Sequence, residues 1–345
     1  MSTEGLEPLA TLKKTLSNGL TVYLVATECN MFHIELKMKV GMFSEGKGEY
    51  EFAHFLEHLN AQFTSKKYPL QQDVISRIES FGVAWNAFTT ARHTGYFVKG
   101  FSEFNARTME QSAFVEILNV MRESYFDFEI DDSIFMQEIH AVVQELSGYA
   151  SSSETIMEET HNSVMYPGHP VTISIADRLQ NMRTQGMDTL SFKRKILNFR
   201  KKYYGPHNSV LTIAVPVNPD AALDYLQWFY RSFVKKHWST EWTGEKLLKD
   251  EDLVLYNAPK STSLPSDNQT LVKICQIDSA PGIRSTILIS LKIADLDAND
   301  YLSKLAIRFI CHRLTGGFDS LLMKKLRTDE GLIYSIHAYG EYDIV

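Results

Sequence analysis

Cysteine is scarce in this chain: Cys29, Cys275 and Cys311 are the three among 345 residues, and no two form a C-x-x-C pair. So sparse and odd a count excludes a disulfide framework and fits a reducing compartment. Long hydrophobic runs are missing too, since none approaches the roughly 18 to 20 residues that span a bilayer. Residues Met1 to Pro8 carry Glu4 and Glu7 and have neither a basic nor an apolar block. Neither a secretory signal nor an Arg-rich mitochondrial presequence is therefore expected there, and the cytoplasm is the expected location. Positive charge is in deficit, with 35 Lys and Arg against 42 Asp and Glu and a net charge of −7. No basic stripe is available to neutralise phosphates, so neither nucleic acid nor an anionic membrane is an expected partner. The 18 Gly and 10 Pro are scattered, which excludes fibrous and low-complexity architectures. What remains is globular in composition, with 44% hydrophobic and 22% charged residues. At roughly 150 residues per domain the length allows a little over two domains.

Along the chain, strand and helix patterns interleave. Thr11 to Thr27 reads as a hairpin around Ser17, Asn18 and Gly19, followed by a strand from Phe32 to Val40, a polar loop from Gly41 to Tyr50, and a helix from Glu51. Gly82 to Thr89 and Gly95 to Gly100 read as paired strands joined by Thr90 to His93. Helical periods run from Met109 to Tyr125 and from Asp132 to Tyr149, the latter capped by Asp131 or Asp132. A turn at Tyr166 to Pro170, a helix from Thr189 to Tyr204, a buried strand from Ser209 to Val215 and a helix from Pro219 to Phe233 follow. After a polar connection, strands are expected at Ile287 to Ile293 and Leu332 to Tyr339, with helices at Asp297 to Leu314 and Phe318 to Thr328 between them. Trp85, Trp228 and Trp238 read as packing residues, and His93, His161, His169, His207, His312 and His337 lack ligand spacing.

The informative segment is Glu51 to Asn60. At about 100° per residue, Phe52, Phe55, Leu56, Leu59 and Phe63 share one helical face, and His54, Glu57 and His58 cluster opposite. Two histidines one turn apart can bind one metal ion, and a glutamate beside the second is placed to take a proton from water that the metal acidifies. The order is H-x-x-E-H, the inverse of H-E-x-x-H. Taken alone, the five residues also fit a solvated helix face. A third ligand must come from elsewhere, and Glu138 and Glu145 lie within about 20° of one another on the helix wheel, beside an apolar stripe. They too admit a plainer reading, glutamates on a helix edge reaching solvent.

These segments together resemble the pitrilysin/insulinase family of zinc peptidases, the inverzincins, and in particular its smaller processing-peptidase-like branch. Leu16 to Tyr23, Ala53 to Leu59, Tyr68 with Pro69, Asn86 to Thr89, His93 to Val98, Glu138 to Glu145, Tyr166 to Pro170 and Tyr203 to Thr212 carry the likeness. It implies an α+β chain of two related αβ-roll domains, each a mixed, mainly antiparallel sheet covered by helices. Residues 1–237 would form the zinc-binding catalytic domain, 238–265 a linker, and 266–345 a second domain that is short or truncated. By position, His54, His58 and Glu145 would hold one zinc ion per chain, Glu57 would act as general base, and Glu138 would support the ligands. The separation of His58 from Glu145 implies an insertion between the two motifs. Asn86 and Ala87 would pair with the backbone of a peptide substrate, a mode in which main-chain hydrogen bonds supply affinity. Leu326 to Ser335 resembles the family's Arg-to-Tyr motif, with a helix ending at Gly331 and Arg327 and Tyr334 donating to a substrate carbonyl.

The resemblance implies a zinc-dependent endopeptidase acting on short or unfolded peptides, in the manner of an enzyme processing a small peptide precursor. Having both motifs, the chain would form a homodimer, or else a heterodimer with a related chain. The rival is a non-catalytic member serving as a peptide-binding or partner subunit. One departure is local: after Pro170 the family has a glycine-rich continuation, whereas this chain reads Val171 to Asp177 without glycine.

Overall fold

The computed structural model describes residues 10–101, 113–216, 222–241, 287–290 and 301–340. The chain divides into two compact units, Met1–Lys273 and Ile274–Val345.

The first unit is built on a six-stranded sheet: β1 (Thr11–Thr15), β2 (Thr21–Thr27), β3 (Met31–Met38), β4 (Ala84–Thr89), β5 (Thr94–Phe101) and β6 (Ser209–Pro216), in the order β1-β2-β6-β3-β5-β4. Only β2 and β6 pair in parallel, so the sheet is mixed and mainly antiparallel. The expected hairpin forms because Gly19 supplies φ 92° and Asn18 Oδ1 accepts the Leu20 N–H at 3.2 Å. A β-carbon at Gly19 would also meet that of His207 at 3.0 Å. Strand alternation sorts the sheet into two faces. Val22 and Leu24 of β2, Ile34 and Leu36 of β3 and Leu211 and Ile213 of β6 are buried on one of them.

The helices are α1 (Phe52–Ala61), α2 (Gln71–Ser80), α3 (Ala113–Phe126), α4 (Asp132–Ala150), α5 (Ser153–Met165), α6 (Ile175–Gly186), α7 (Thr189–Tyr203) and α8 (Ala222–Phe229). The last runs through a π-turn, Tyr230–Val234, into α9 (Lys235–Trp238). Asp131 caps α4 by accepting the Ser133 N–H at 2.7 Å. Trp238 is fully buried. No helix among the described residues is long and apolar enough to cross a membrane.

In the second unit, α10 (Tyr301–Thr315) buries none of its residues, and a π-helical turn follows at Met323–Asp329. Here the strand expectations need correction. Residues 332–340 form no strand, nor do the described residues 287–290. Strand backbone must be paired in a ladder, and among the described residues of this unit no strand offers one. Backbone there bonds locally instead: Leu332 N–H returns to the Leu326 carbonyl at 2.8 Å, and Ala338 N–H donates to Thr315 Oγ1 at 3.0 Å. Cys275, most of the 238–265 connection, and the helix starts expected at Met109, Pro219 and Asp297 lie outside the described residues.

Candidate metal centre

The site begins with the packing of α1. Phe52, Phe55, Leu56 and Leu59, the face expected from the periodicity, are buried. Phe55 stacks on Phe192 of α7 at 5.0 Å and meets Phe135 of α4 edge-on at 5.1 Å. With that face fixed, His54, Glu57 and His58 point away from the core. The amino end of α1 is capped from a distance: Glu45 Oε2 accepts the Glu51 N–H at 3.0 Å and Oε1 the Ala53 N–H at 2.8 Å.

Helix α4 supplies the carboxylates. Glu145 Oε2 lies 3.6 Å from His54 Nε2 and 3.4 Å from His58 Nε2. Ligand atoms of His54, His58 and Glu145 all fall within 4.8 Å of one another. Both remaining ring nitrogens are engaged by other carboxylates: His54 Nδ1 donates to Glu51 Oε2 at 2.7 Å, and His58 Nδ1 to Glu138 Oε2 at 2.9 Å. This arrangement puts the ring proton on Nδ1 and leaves each Nε2 lone pair for a metal. Glu138 Oε1 also accepts from Gln62 Nε2 at 2.6 Å, and the Tyr149 hydroxyl donates to Glu145 Oε1 at 3.1 Å. Two imidazoles and one carboxylate are the donor number and type of a catalytic zinc site with an open position, so the residues fit that ion.

Burial sets the electrostatics. It pushes Glu57 above the ordinary carboxylate range, and Glu145 adds to the push, while the Thr89 hydroxyl and the two imidazoles pull back. Burial also opposes charge on His54, but the Glu51 carboxylate, helped by Glu145 and Glu57, outweighs it and holds the imidazole above its usual pKa. Glu51 is buried as well, yet His54 and Arg178 keep it below the carboxylate norm. Its neighbour Glu45, buried and repelled by Glu51, is pushed up to about 8. Of these two carboxyls, Glu51 is the one that stays charged at neutral pH.

A cleft of about 460 Å³ lies over this cluster, lined by His54, Glu57, His58 and Glu145 on one side and Trp85 to Thr89 of β4 on the other. β4 is an edge strand. The Ala87 N–H is taken by the Asn86 side-chain oxygen at 2.9 Å instead of by β5, so it faces the free edge. Trp85, read from sequence as a packing residue, does both: it packs edge-on against Phe63 and lines the cleft. Arg327 and Tyr334 belong to the second unit, where the guanidinium sits 5.0 Å from the Tyr334 ring centre and 4.9 Å from that of Phe318. Gly331, with φ 64°, follows the turn that carries Arg327, as expected of a helix-ending glycine.

Sequence reasoning missed Glu51, Gln62, Arg178 and Tyr149. Tyr149, four residues beyond Glu145 on one helix, was accessible from helical spacing; Glu51 was not, because it precedes α1 with a φ of 75°. Arg178 was not, since it reaches Glu51 across 127 positions.

Known proteins resemble this chain in sequence and in fold. Residues 23–178 match the insulinase (peptidase family M16) profile and residues 192–343 the profile of the M16 inactive domain. The chain is 22% identical over 288 residues to YmxG of Bacillus subtilis (strain 168), described as an uncharacterized zinc protease, covering 83% of this chain and 59% of that one. It is 23% identical over 235 residues to the mitochondrial-processing peptidase subunit beta of Caenorhabditis elegans, covering 67% and 47% of the two chains. It thus spans less than two thirds of either relative's length. The crystal structure of a protease from Helicobacter pylori shares the fold, with a TM-score of 0.67 at 21% identity over 97% of this chain and 72% of that one. With the two profiles in tandem over most of its length, the chain belongs to the insulinase family of peptidases, family M16.

Proposed function

We propose that the protein is a zinc-dependent endopeptidase that cleaves short or unfolded peptides bound in extended form along β4, and that it processes a small peptide precursor. One observation carries this reading: two imidazole Nε2 atoms and a Glu145 oxygen converge, with both Nδ1 atoms already held by carboxylates and Glu57 in the same cleft. His54, His58 and Glu145 would hold one zinc ion per chain, and zinc so bound supplies Lewis acidity that polarises a carbonyl and acidifies water. Glu57 takes the proton of the attacking water and delivers it to the departing amine, so that one carboxylate serves both halves of the hydrolysis. Glu138 keeps the His58 ring turned toward Glu145. Arg327 and Tyr334 are assigned to the substrate carbonyl oxygen, working within a homodimer or a heterodimer with a related chain.

The test is zinc content together with turnover. Purified protein is expected to carry one zinc per chain and to cut a quenched fluorescent peptide library, with cleavage lost to 1,10-phenanthroline and restored by zinc. Metal-free protein that still cleaves, or protein that cannot take up zinc, overturns the reading. Zinc uptake with no cleavage favours the second reading, a non-catalytic partner subunit, toward which the subunit relationship of the processing-peptidase relative points.

Substrate pairing at the edge strand has its own expected result. Ala87→Pro removes the N–H that faces the free edge and leaves the β4–β5 ladder intact, a place where proline is tolerated. We expect kcat/KM to fall about tenfold through KM, the loss of about one hydrogen bond's discrimination, with thermal stability little changed. An unchanged KM would remove β4 from substrate binding.

A further inference from the structure

We infer that Glu51 and Arg178 are a positioning pair for His54, through which the docking of α6 sets the affinity of the metal centre. The inference rests on the zinc reading above. Glu51 occupies an unusual place for its residue type. Its φ of 75° lies in the left-handed region that glycine enters freely and glutamate does not. Its side chain is only 4% exposed, where an isolated carboxylate is costly unless it is paired and hydrogen-bonded. Both of its oxygens are in use: Oε2 accepts from His54 Nδ1 at 2.7 Å and Oε1 from Arg178 Nη1 at 2.9 Å. A strained backbone and a buried charge at one residue, each directed at a metal-facing imidazole, are what a site-orienting group requires.

The two histidines are held in different ways. The carboxylate behind His58 is steadied by Gln62, the residue that caps α1 itself. The carboxylate behind His54 is steadied from α6. Three side chains spaced along one face of that helix all donate to the segment entering α1: Arg178 to Glu51, Asn181 Nδ2 to the Tyr50 carbonyl at 2.6 Å, and Gln185 Nε2 to the Gly48 carbonyl at 3.1 Å. Arg178 Nε is anchored in turn on the Ile173 carbonyl at 3.3 Å. Arg178, Asn181 and Gln185 thus form a brace which fixes the loop, the loop presents Glu51, and Glu51 fixes the tautomer and ring angle of His54.

The experiment uses Glu51→Gln and Arg178→Lys in the full chain, freed of metal. Zinc affinity is read by competition with a chromophoric chelator, and the tautomers of His54 and His58 by ¹⁵N NMR in the absence of metal. Glu51→Gln is expected to weaken zinc binding by 10- to 100-fold, the usual effect of losing such a partner, and to lower the Nδ1–H population of His54 while leaving His58 as it was. A merely structural role would not separate the two rings. Arg178→Lys keeps the charge but not the guanidinium fork, and is expected to give a smaller loss in the same direction; it serves as the test should Glu51→Gln not fold. Zinc affinity within threefold of the parent together with an unmoved His54 tautomer overturns the inference while the zinc reading stands. Failure of the parent protein to bind zinc overturns both.

Discussion

Glu57→Gln is expected to reduce kcat/KM for peptide cleavage by about 10³-fold, within the range by which a positioned general base accelerates proton transfer. Glutamine keeps the volume and shape of the side chain but is neutral, exchanges one acceptor oxygen for an NH2 donor, and cannot take a proton. Zinc content should stay the same, because the converging donors are those of His54, His58 and Glu145. Stability is expected to hold or rise slightly, since a carboxylate that burial already pushes up in pKa is replaced by a neutral amide. Steady-state kinetics on one quenched peptide, beside elemental analysis of the same preparation, gives both numbers. Turnover within tenfold of the parent would remove Glu57 from the chemistry. Loss of zinc along with turnover would instead make it a ligand.

How much of this was legible in the sequence follows the range of the interactions. The apolar face of α1 and the opposed His54, Glu57 and His58 follow from helical period alone, and the structure buries the expected phenylalanines. The hairpin at Gly19 and the cap at Asp131 are equally local. Helices α2, α5 and α6 went unread because their apolar content is thin: α2 buries only Val74 and Ile78, and α5 only Asn162. Their helicity comes from neighbours that one segment does not reveal. Glu138 and Glu145 were placed on one edge of α4, but which of them faces the Nε2 atoms depends on how α4 packs against α1. Glu51 escaped for a different reason. It looks like an ordinary first-turn acid, and its meaning lies in a backbone angle and in an arginine on α6. The strand expected at Leu332 to Tyr339 shows the converse case, a good local pattern without a ladder partner among the described residues.

Phe55→Ala is expected to cost about 3 to 5 kcal/mol of folding stability, the range for emptying a buried aromatic site. That is a large part of the roughly 5 to 15 kcal/mol that holds a domain together. Phe55 has no exposed surface. Its ring closes a triangle with Phe192 at 5.0 Å and Phe135 at 5.1 Å, and those two meet at 5.4 Å. Phe135 stands one turn before Glu138 on α4, and Phe55 lies between His54 and Glu57 on α1. The same ring that stabilises the core therefore sets the register between the helix of imidazoles and the helix of carboxylates. Urea unfolding in excess chelator should show the full loss at an unchanged m value. Zinc at 100 times its Kd would add about 2.7 kcal/mol to the parent protein by mass action. In Phe55→Ala the same zinc concentration should add less, because the two helices no longer present His58 and Glu145 at a fixed distance. Phe55→Leu, which leaves a smaller void, should recover much of both quantities. A loss below about 1.5 kcal/mol, or an undiminished zinc increment, would separate the aromatic triangle from the metal centre.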